Sequence, residues 1–216
     1  MHLSLVGMAN SSITSDSSQG VSASILPYVC LVRHGETIRT ITRQHTGRTD
    51  IPLTIRGEDQ ANALRARLRD MRFSDVFTSP LQRARRTCEL AGFGAIAAAD
   101  ANLVEWDYGE YEGQRTSEIR AGRPTWHLFD DGAPKGEAVA DIAARADRVI
   151  SRVRHCAGNV LLFGHQDIFR VIAARWLGLV AGEGRRLYLD PGSLSIIGYD
   201  HALDEPVIRL WNVGSR

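Results

Sequence analysis

Two short apolar runs, at 28–32 and 159–163, most constrain how this chain can fold. Arg33 and His34 follow the first run directly, and His165 lies just beyond the second. Near-continuous apolar runs of this length are typical of strands buried on both faces of a parallel sheet. Because ligands of such sheets bind outside the carboxyl ends of the strands, the two histidines are predicted to face one ligand site.

Helix and strand signals alternate along the rest of the chain. Apolar residues recur at three- and four-residue steps in helices expected at 54–71 and 139–153. The remaining helices are expected at 81–92 and 168–177, and the remaining strands at 75–78, 187–189, 193–199 and 207–211. This alternation predicts an α/β fold, a three-layer αβα sandwich with a mostly parallel central sheet.

Length and composition limit the domain count and the class of partner. The chain has 216 residues, which suits a single domain at 28–216 preceded by a disordered tail at 1–27. With 26 Lys+Arg against 25 Asp+Glu, the balanced charge argues against a nucleic-acid-binding protein. No apolar run is long enough for a membrane span, and the three cysteines lack metal-site spacing. The expectation is a cytoplasmic protein.

The residues at the first strand end are those that a phosphate site needs. Arg33 can hold two phosphate oxygens through its planar guanidinium, and a neutral His34 can attack phosphorus. Gly35 is expected to let the backbone approach a ligand or adopt a positive φ. Ser79 followed by proline predicts a helix N-cap, which places Arg83 in a first turn where the helix dipole favours an anion.

An acidic stretch at 105–112 offers a proton donor. The leaving alkoxide of a phosphate ester needs protonation, and a carboxylic acid beside Trp106 would have its pKa raised by desolvation. Four acids compete for this role, and the residues alone do not choose among them. They are Glu105, Asp107, Glu110 and Glu112.

Five segments occur in the order found in one known family. They are LVRHGET, TGRTDIPLT, TSPLQRA, LVEWDYGEYEG and LLFGH. Together they resemble the histidine phosphatase (phosphoglycerate mutase-like) superfamily over about 28–211. EWDYGEYEG and the later LDPGSLSIIGYD most resemble its acid-phosphatase and sugar-bisphosphatase branch, including the sedoheptulose-1,7-bisphosphatase type.

The resemblance implies a role for each matching residue. His34 would become phosphohistidine, and Glu105 would protonate the leaving group and then activate water. The phosphoryl group would be held by Arg33, Arg83 and His165. Substrate would also be met by two residues of a loop, Thr46 and Gly47. The family needs no metal or other cofactor.

Two site positions depart from the family pattern. Thr40 stands where asparagine is usual in the mutases, and Gln166 stands where glycine usually follows the second histidine. Both are expected to contact substrate and to alter substrate preference rather than to remove a catalytic group. A second phosphate could be met by His45 or by a nearby arginine, although a surface role fits each equally well. These arginines are Arg39, Arg43 and Arg48.

The sequence therefore favours a metal-independent phosphatase that acts on a small phosphorylated metabolite, a sugar phosphate or bisphosphate. A phosphoglycerate mutase is the first alternative, but only 60 positions separate Glu105 from His165, and mutases generally have a longer insertion there. A non-catalytic phospho-ligand-binding domain is the second alternative, although it would be expected to lose His34 or the acid. Neither nucleic acid nor membrane is an expected partner; a homodimer is an open option.

Overall fold

One six-stranded sheet organises residues 26–214, the part of the chain that the computed structural model describes. The strands are β1 (Val29–Arg33), β2 (Asp75–Thr78), β3 (Ala98–Ala99), β4 (Val160–Gly164), β5 (Leu194–Tyr199) and β6 (Pro206–Val213). Their spatial order is β3-β2-β4-β1-β5-β6. The first four strands are parallel to one another, β5 is antiparallel to β1, and β6 is antiparallel to β5. The mostly parallel sheet is thus confirmed. The tail predicted at 1–27 lies almost wholly outside the described residues.

Helices cover both faces of this sheet. They are α1 (Ile38–Thr42), α2 (Ile55–Leu68), α3 (Gln82–Leu90), α4 (Thr116–Gly122), α5 (Leu128–Asp131), α6 (Val139–Arg154) and α7 (Gln166–Trp176). Short 3₁₀ segments lie at Ala101–Leu103, Gly109–Tyr111 and Ala181–Arg186. Among the described residues, no helix combines the length and the apolar character needed to cross a bilayer.

The sheet separates two apolar cores, because successive side chains of a strand point to opposite faces. Cys30 and Leu161 pack with the buried residues of α2 and α3. Leu31 and Leu162, their neighbours along the chain, pack with those of α6 and α7. Both central strands are therefore buried on both sides, and the predicted three-layer αβα sandwich is confirmed.

Three sequence-based predictions of local structure were wrong. Helix α3 is capped by Leu81 rather than by Ser79, whose hydroxyl serves His165 instead. Helix α7 begins at Gln166, two residues before the predicted start. The segment 187–189 is not a strand.

The sheet order brings the two histidine-bearing strand ends together. Strands β1 and β4 are neighbours, and Arg33 lies opposite Gly164 in their parallel register. The main-chain N–H of His34 donates to the carbonyl of Gly164 at 3.0 Å. The residues that follow each strand therefore meet at one edge of the sheet.

Close packing beyond β1 explains the glycine after His34. A Cβ on Gly35 would lie 2.2 Å from the carbonyl oxygen of Gly57, in the first turn of α2. Gly35 is not among the glycines with positive φ. The expected positive φ was therefore wrong, and the observed constraint on this glycine is its close contact with the α2 backbone.

Candidate active site

A cavity of about 490 Å³ opens at the carboxyl edge of β1 and β4, within the usual size of a small-molecule site. Its floor includes Arg33, His34 and Glu105, the residues predicted to bind, attack and protonate. Parts of α1, α4, α5 and α7 form its walls. The topology thus places Glu105 in the same space as Arg33 and His34, which precede it by about 70 positions in the sequence.

His34 is held in a single tautomer. Its Nδ1 lies 2.7 Å from the carbonyl oxygen of Gly35, and because a carbonyl only accepts, Nδ1 carries the proton. Burial lowers the pKa of His34 well below its ordinary value, and the charges of Arg83 and Arg33 lower it further. The ring is therefore neutral near pH 7, with the lone pair of a nucleophile on Nε2.

Arg33 brings a fixed cation to the same floor. One of its terminal nitrogens donates to the carbonyl of Leu189, while its Nε is buried without a hydrogen-bond partner within residues 26–214. Arg33 is 8% exposed and lines the cavity. A buried guanidinium N–H that lacks a protein acceptor is costly, and a bound anion would offset that cost.

His165 and Arg83 lie beneath this floor. The ring centroids of His34 and His165 are 5.1 Å apart. Arg83 Nε donates to His165 Nδ1 at 3.2 Å, and His165 Nε2 donates to the hydroxyl of Ser79 at 2.8 Å. Neither Arg83 nor His165 lines the cavity, and both are fully buried.

The remaining nitrogens of Arg83 are also engaged. They donate to the carbonyls of Thr46, Gly47 and Thr49 at 2.9–3.1 Å. Four of its five N–H groups are therefore used within the protein, and because Arg83 does not line the cavity, direct contact with a phosphoryl group would require a rearrangement. In the present arrangement its charge acts on His34 through space.

Glu105 sits in an environment that favours the protonated form of a carboxylic acid. Burial, followed by the charge of Asp167, raises the pKa of Glu105 to about 7, and main-chain N–H donors oppose this rise. These donors are Trp106 at 2.9 Å and Asp167 and Ile168 at 3.1 Å. An acid with a pKa near 7 can both give and take a proton at neutral pH.

The other three acids of the stretch point elsewhere and do not line the cavity. Asp107 accepts from the N–H of Gly109, and Glu110 pairs with Lys135. Glu112 pairs with Arg39 at 2.9 Å. The structure therefore distinguishes Glu105 from acids that the sequence left equivalent.

Asp167 is a site residue that the sequence analysis missed. It lies in the first turn of α7, only 5% exposed, and lines the cavity. The hydroxyl of Tyr108 donates to its carboxylate at 2.5 Å, and Arg170 pairs with it at 2.7 Å. An acid two positions after His165, entering an apolar helix, was the signal that could have revealed it.

Arg145 of α6 holds the main chain that carries Glu105, and this role was also missed. Its guanidinium forms a two-pronged pair with Glu137, both contacts at 2.7 Å. Its nitrogens also donate to the carbonyls of Val104 at 2.6 Å and Glu105 at 3.2 Å. Because Arg145 is 6% exposed, this ion pair fixes the loop from within the protein.

The four residues predicted to bind substrate have different surroundings. Thr40, Thr46 and Gln166 line the cavity. Thr40 also completes the N-terminal cap of α1 with Thr37. Gly47 does not line it, and its N–H donates to Glu112 at 2.9 Å. The predicted contact between phosphate and this N–H would require Glu112 to move.

Comparison with known proteins agrees with this geometry. A family model described as the histidine phosphatase superfamily (branch 1) matches residues 29–214. The chain is 36% identical over 177 residues to a Mycobacterium tuberculosis protein named acid phosphatase, covering 80% of this chain and 87% of the relative. It is 32% identical to a Saccharomyces cerevisiae sedoheptulose 1,7-bisphosphatase, covering 87% and 93%.

A further relative and a solved structure complete the comparison. A probable phosphoglycerate mutase GpmB of Erwinia tasmaniensis is 31% identical, covering 81% of this chain and 86% of the relative. The solved structure of the product of open reading frame Rv3214 from Mycobacterium tuberculosis superposes with a TM-score of 0.83 at 32% identity. That match covers 88% of this chain and 99% of the other.

Proposed function

The chain belongs to the histidine phosphatase superfamily and is a phosphatase of phosphorylated metabolites, and we propose that it hydrolyses a sugar phosphate or bisphosphate through a phosphohistidine on His34. One observation carries this proposal. The unprotonated Nε2 of a neutral His34 lies on a cavity floor beside Arg33, whose buried Nε–H lacks an acceptor within residues 26–214.

The first half-reaction transfers the phosphoryl group to the protein. Arg33 binds phosphoryl oxygens, and His34 Nε2 attacks phosphorus while the P–O bond to the sugar breaks. Glu105 gives its proton to the departing alkoxide, which leaves as an alcohol. The surrounding guanidinium charges stabilise the negative oxygens of the transition state.

The second half-reaction returns the protein to its starting state. The Glu105 carboxylate takes a proton from water as the water oxygen attacks phosphorus. The N–P bond breaks, its electron pair returns to His34 Nε2, and inorganic phosphate leaves. A pKa of about 7 lets Glu105 serve as acid in one step and base in the next.

The other residues predicted at the site also have roles in the proposed mechanism. Arg83 and His165 add positive charge and orientation below His34, and they reach the phosphoryl group if they exchange their present protein partners. Thr40, Thr46 and Gln166 contact the sugar from the wall. We propose that Gly47 joins them only when Glu112 releases its N–H.

Three further parts of the proposal concern cofactor, location and assembly. We propose that catalysis needs no metal, because Arg33, Arg83 and Arg170 supply the positive charge around the site. We also propose a cytoplasmic location, which suits the free thiols of Cys30, Cys88 and Cys156. A homodimer is proposed as an alternative to a monomer, and sedimentation equilibrium distinguishes the two.

A mutase is the second candidate, since several relatives are named probable phosphoglycerate mutase GpmB. It would use the same phosphohistidine but return the phosphoryl group to a bound sugar acid. Incubation with 3-phosphoglycerate and a phosphorylated primer distinguishes the two activities. A phosphatase releases inorganic phosphate, whereas a mutase interconverts the phosphoglycerates.

The decisive experiment compares the wild type with His34→Ala in the presence of a chelator. Phosphate release is measured from sugar mono- and bisphosphates and an aryl phosphate, and acid-labile phosphoprotein is trapped by rapid quench. We expect both signals in the wild type and neither in His34→Ala. His155→Ala, which alters an exposed histidine at the end of α6, is the matched control. Turnover by His34→Ala would overturn the proposed nucleophile.

A further inference from the structure

The cavity carries more positive charge than one phosphoryl group requires. Five arginines line it, against the two carboxyl groups of Glu105 and Asp167. The arginines are Arg33, Arg39, Arg43, Arg120 and Arg170. Since Glu105 is partly protonated near pH 7, the walls have a clear excess of cations.

Three of these arginines already have a role. Arg33 lies beside the nucleophile, Arg39 is paired with Glu112, and Arg170 is paired with Asp167. Arg43 and Arg120 are different. Within residues 26–214 neither pairs with a carboxylate, and Arg120 makes one hydrogen bond, from Nε to the carbonyl of Trp126 at 2.9 Å.

Contacts join the segment next to Arg43 to the helix that carries Arg120, and both arginines line the cavity. The segment 42–46 and the start of α4 are joined by a β-bridge between Gln44 and Arg115. The hydroxyl of Thr116 also lies 3.2 Å from His45 Nε2. Arg43 adjoins this junction, and Arg120 follows Thr116 by four residues, on the same face of the helix.

The backbone at Arg43 is in a costly conformation. Arg43 ends α1 with φ 59° and ψ 34°, in the left-handed region. Glycine occupies this position of a helix most readily, and a residue with a Cβ is held there at a cost. A strained residue that lines a cavity suggests that its side chain has a function there.

We propose that Arg43 and Arg120 form a distal anion subsite, which binds a second anionic group of a substrate whose reacting phosphate lies at Arg33 and His34. The inference rests on the proposed function and narrows its substrate class. The substrate carries two separated anionic groups, as a sugar bisphosphate or a phosphorylated sugar acid does. The two guanidinium groups bind a phosphate or a carboxylate through charge-assisted hydrogen bonds.

The test measures binding in the His34→Ala protein, so that turnover does not interfere. Calorimetry gives the dissociation constants of fructose 1,6-bisphosphate and of its 1- and 6-monophosphates. A second pair, 3-phosphoglycerate and glycerol 3-phosphate, tests a carboxylate as the second group. In at least one of these two sets, the fructose phosphates or the glycerate pair, we expect the ligand with two anionic groups to bind about tenfold more tightly than the ligand with one.

Variants then assign that preference to the two arginines. Arg43→Gly and Arg120→Gln should each reduce the ratio of affinities about tenfold. Because glycine accepts the left-handed conformation, Arg43→Gly is expected to fold as well as its parent, which separates a lost contact from a lost fold. Arg123→Gln is the matched control, since Arg123 also lies near the end of α4 but does not line the cavity.

The outcomes separate the subsite from the proposed function. Equal affinities within both sets, or ratios unaffected by the two variants, would overturn the subsite. Phosphate release from an aryl phosphate by the wild type tests the phosphatase independently. Its absence would overturn the proposed function while the binding ratios still report on Arg43 and Arg120.

Discussion

The main-chain N–H of Asp167 donates to both carboxyl oxygens of Glu105, each at 3.1 Å. The same residue therefore influences the candidate proton donor in two opposite ways. Its N–H stabilises the charged form of Glu105, whereas its own negative side chain disfavours that form. Substitution of the side chain alone separates the two effects.

Asp167→Asn should lower the pKa of Glu105, because it removes a nearby negative charge and keeps the main-chain hydrogen bonds. Hydrolysis of an alkyl phosphate needs protonated Glu105, so kcat in the wild type should fall as the pH rises through about 7. In Asp167→Asn this fall should occur at lower pH. A profile of kcat against pH measures the shift.

The control for Asp167→Asn is Glu110→Gln. This change also removes one negative charge, but Glu110 is exposed, pairs with Lys135 and does not line the cavity. Its profile should coincide with that of the wild type. A fall in kcat at the same pH in all three proteins would mean that Asp167 does not tune the acid.

Glu105→Gln should slow the phosphorylation of His34 by alkyl phosphates much more than its phosphorylation by activated aryl phosphates. An alkoxide needs a proton to leave, whereas a nitrophenolate leaves without one. We expect the rate of the phosphohistidine burst trapped by rapid quench to fall by roughly 100-fold or more with the alkyl substrate, and much less with the aryl substrate. Asp107→Asn should change neither rate appreciably. Equal slowing of the phosphorylation step with both substrates by Glu105→Gln would point to another proton donor.

The central fold could be predicted because its signals are local. The runs that form β1 and β4 are apolar throughout since both faces of these strands are buried. The helices α1, α4 and α5, of five, seven and four residues, were not predicted. They are too short to show periodicity, and tertiary contacts hold them in place.

The candidate site could be predicted only where strand ends determine it. Arg33, His34 and His165 meet because parallel neighbours have their carboxyl ends at one edge. Ser79 bonds to His165 and Gly47 bonds to Glu112, and both partners lie far along the chain. The local pattern therefore wrongly assigned Ser79 as a helix cap and did not indicate the contact of Gly47. For the same reason the ion pair of Arg145 with Glu137 left no recognisable pattern in the sequence.

The stability of the protein should depend on the ionisation of Glu105. The folded pKa of about 7 exceeds the ordinary value of 4.5, so Glu105 binds its proton more tightly in the folded state. Its stabilising contribution is fully present below pH 4.5 and is lost as the pH rises through 7. The free energy of unfolding of Glu105→Gln should therefore increase relative to the wild type across that window. Denaturant unfolding at several pH values measures this difference, and a difference independent of pH would contradict the raised pKa.

Glu137→Gln should destabilise the fold and impair the chemistry together. It leaves the buried Arg145 without its carboxylate, which typically costs about 3 to 5 kcal/mol and should appear in denaturant unfolding. The main chain of Glu105 then loses a fixed anchor, so kcat for an alkyl phosphate should fall more than kcat for an aryl phosphate. Glu58→Gln breaks the exposed pair with Arg86 and should change neither property. If Glu137→Gln were destabilised but kept the wild-type ratio of alkyl to aryl kcat, the ion pair would support the fold without positioning Glu105.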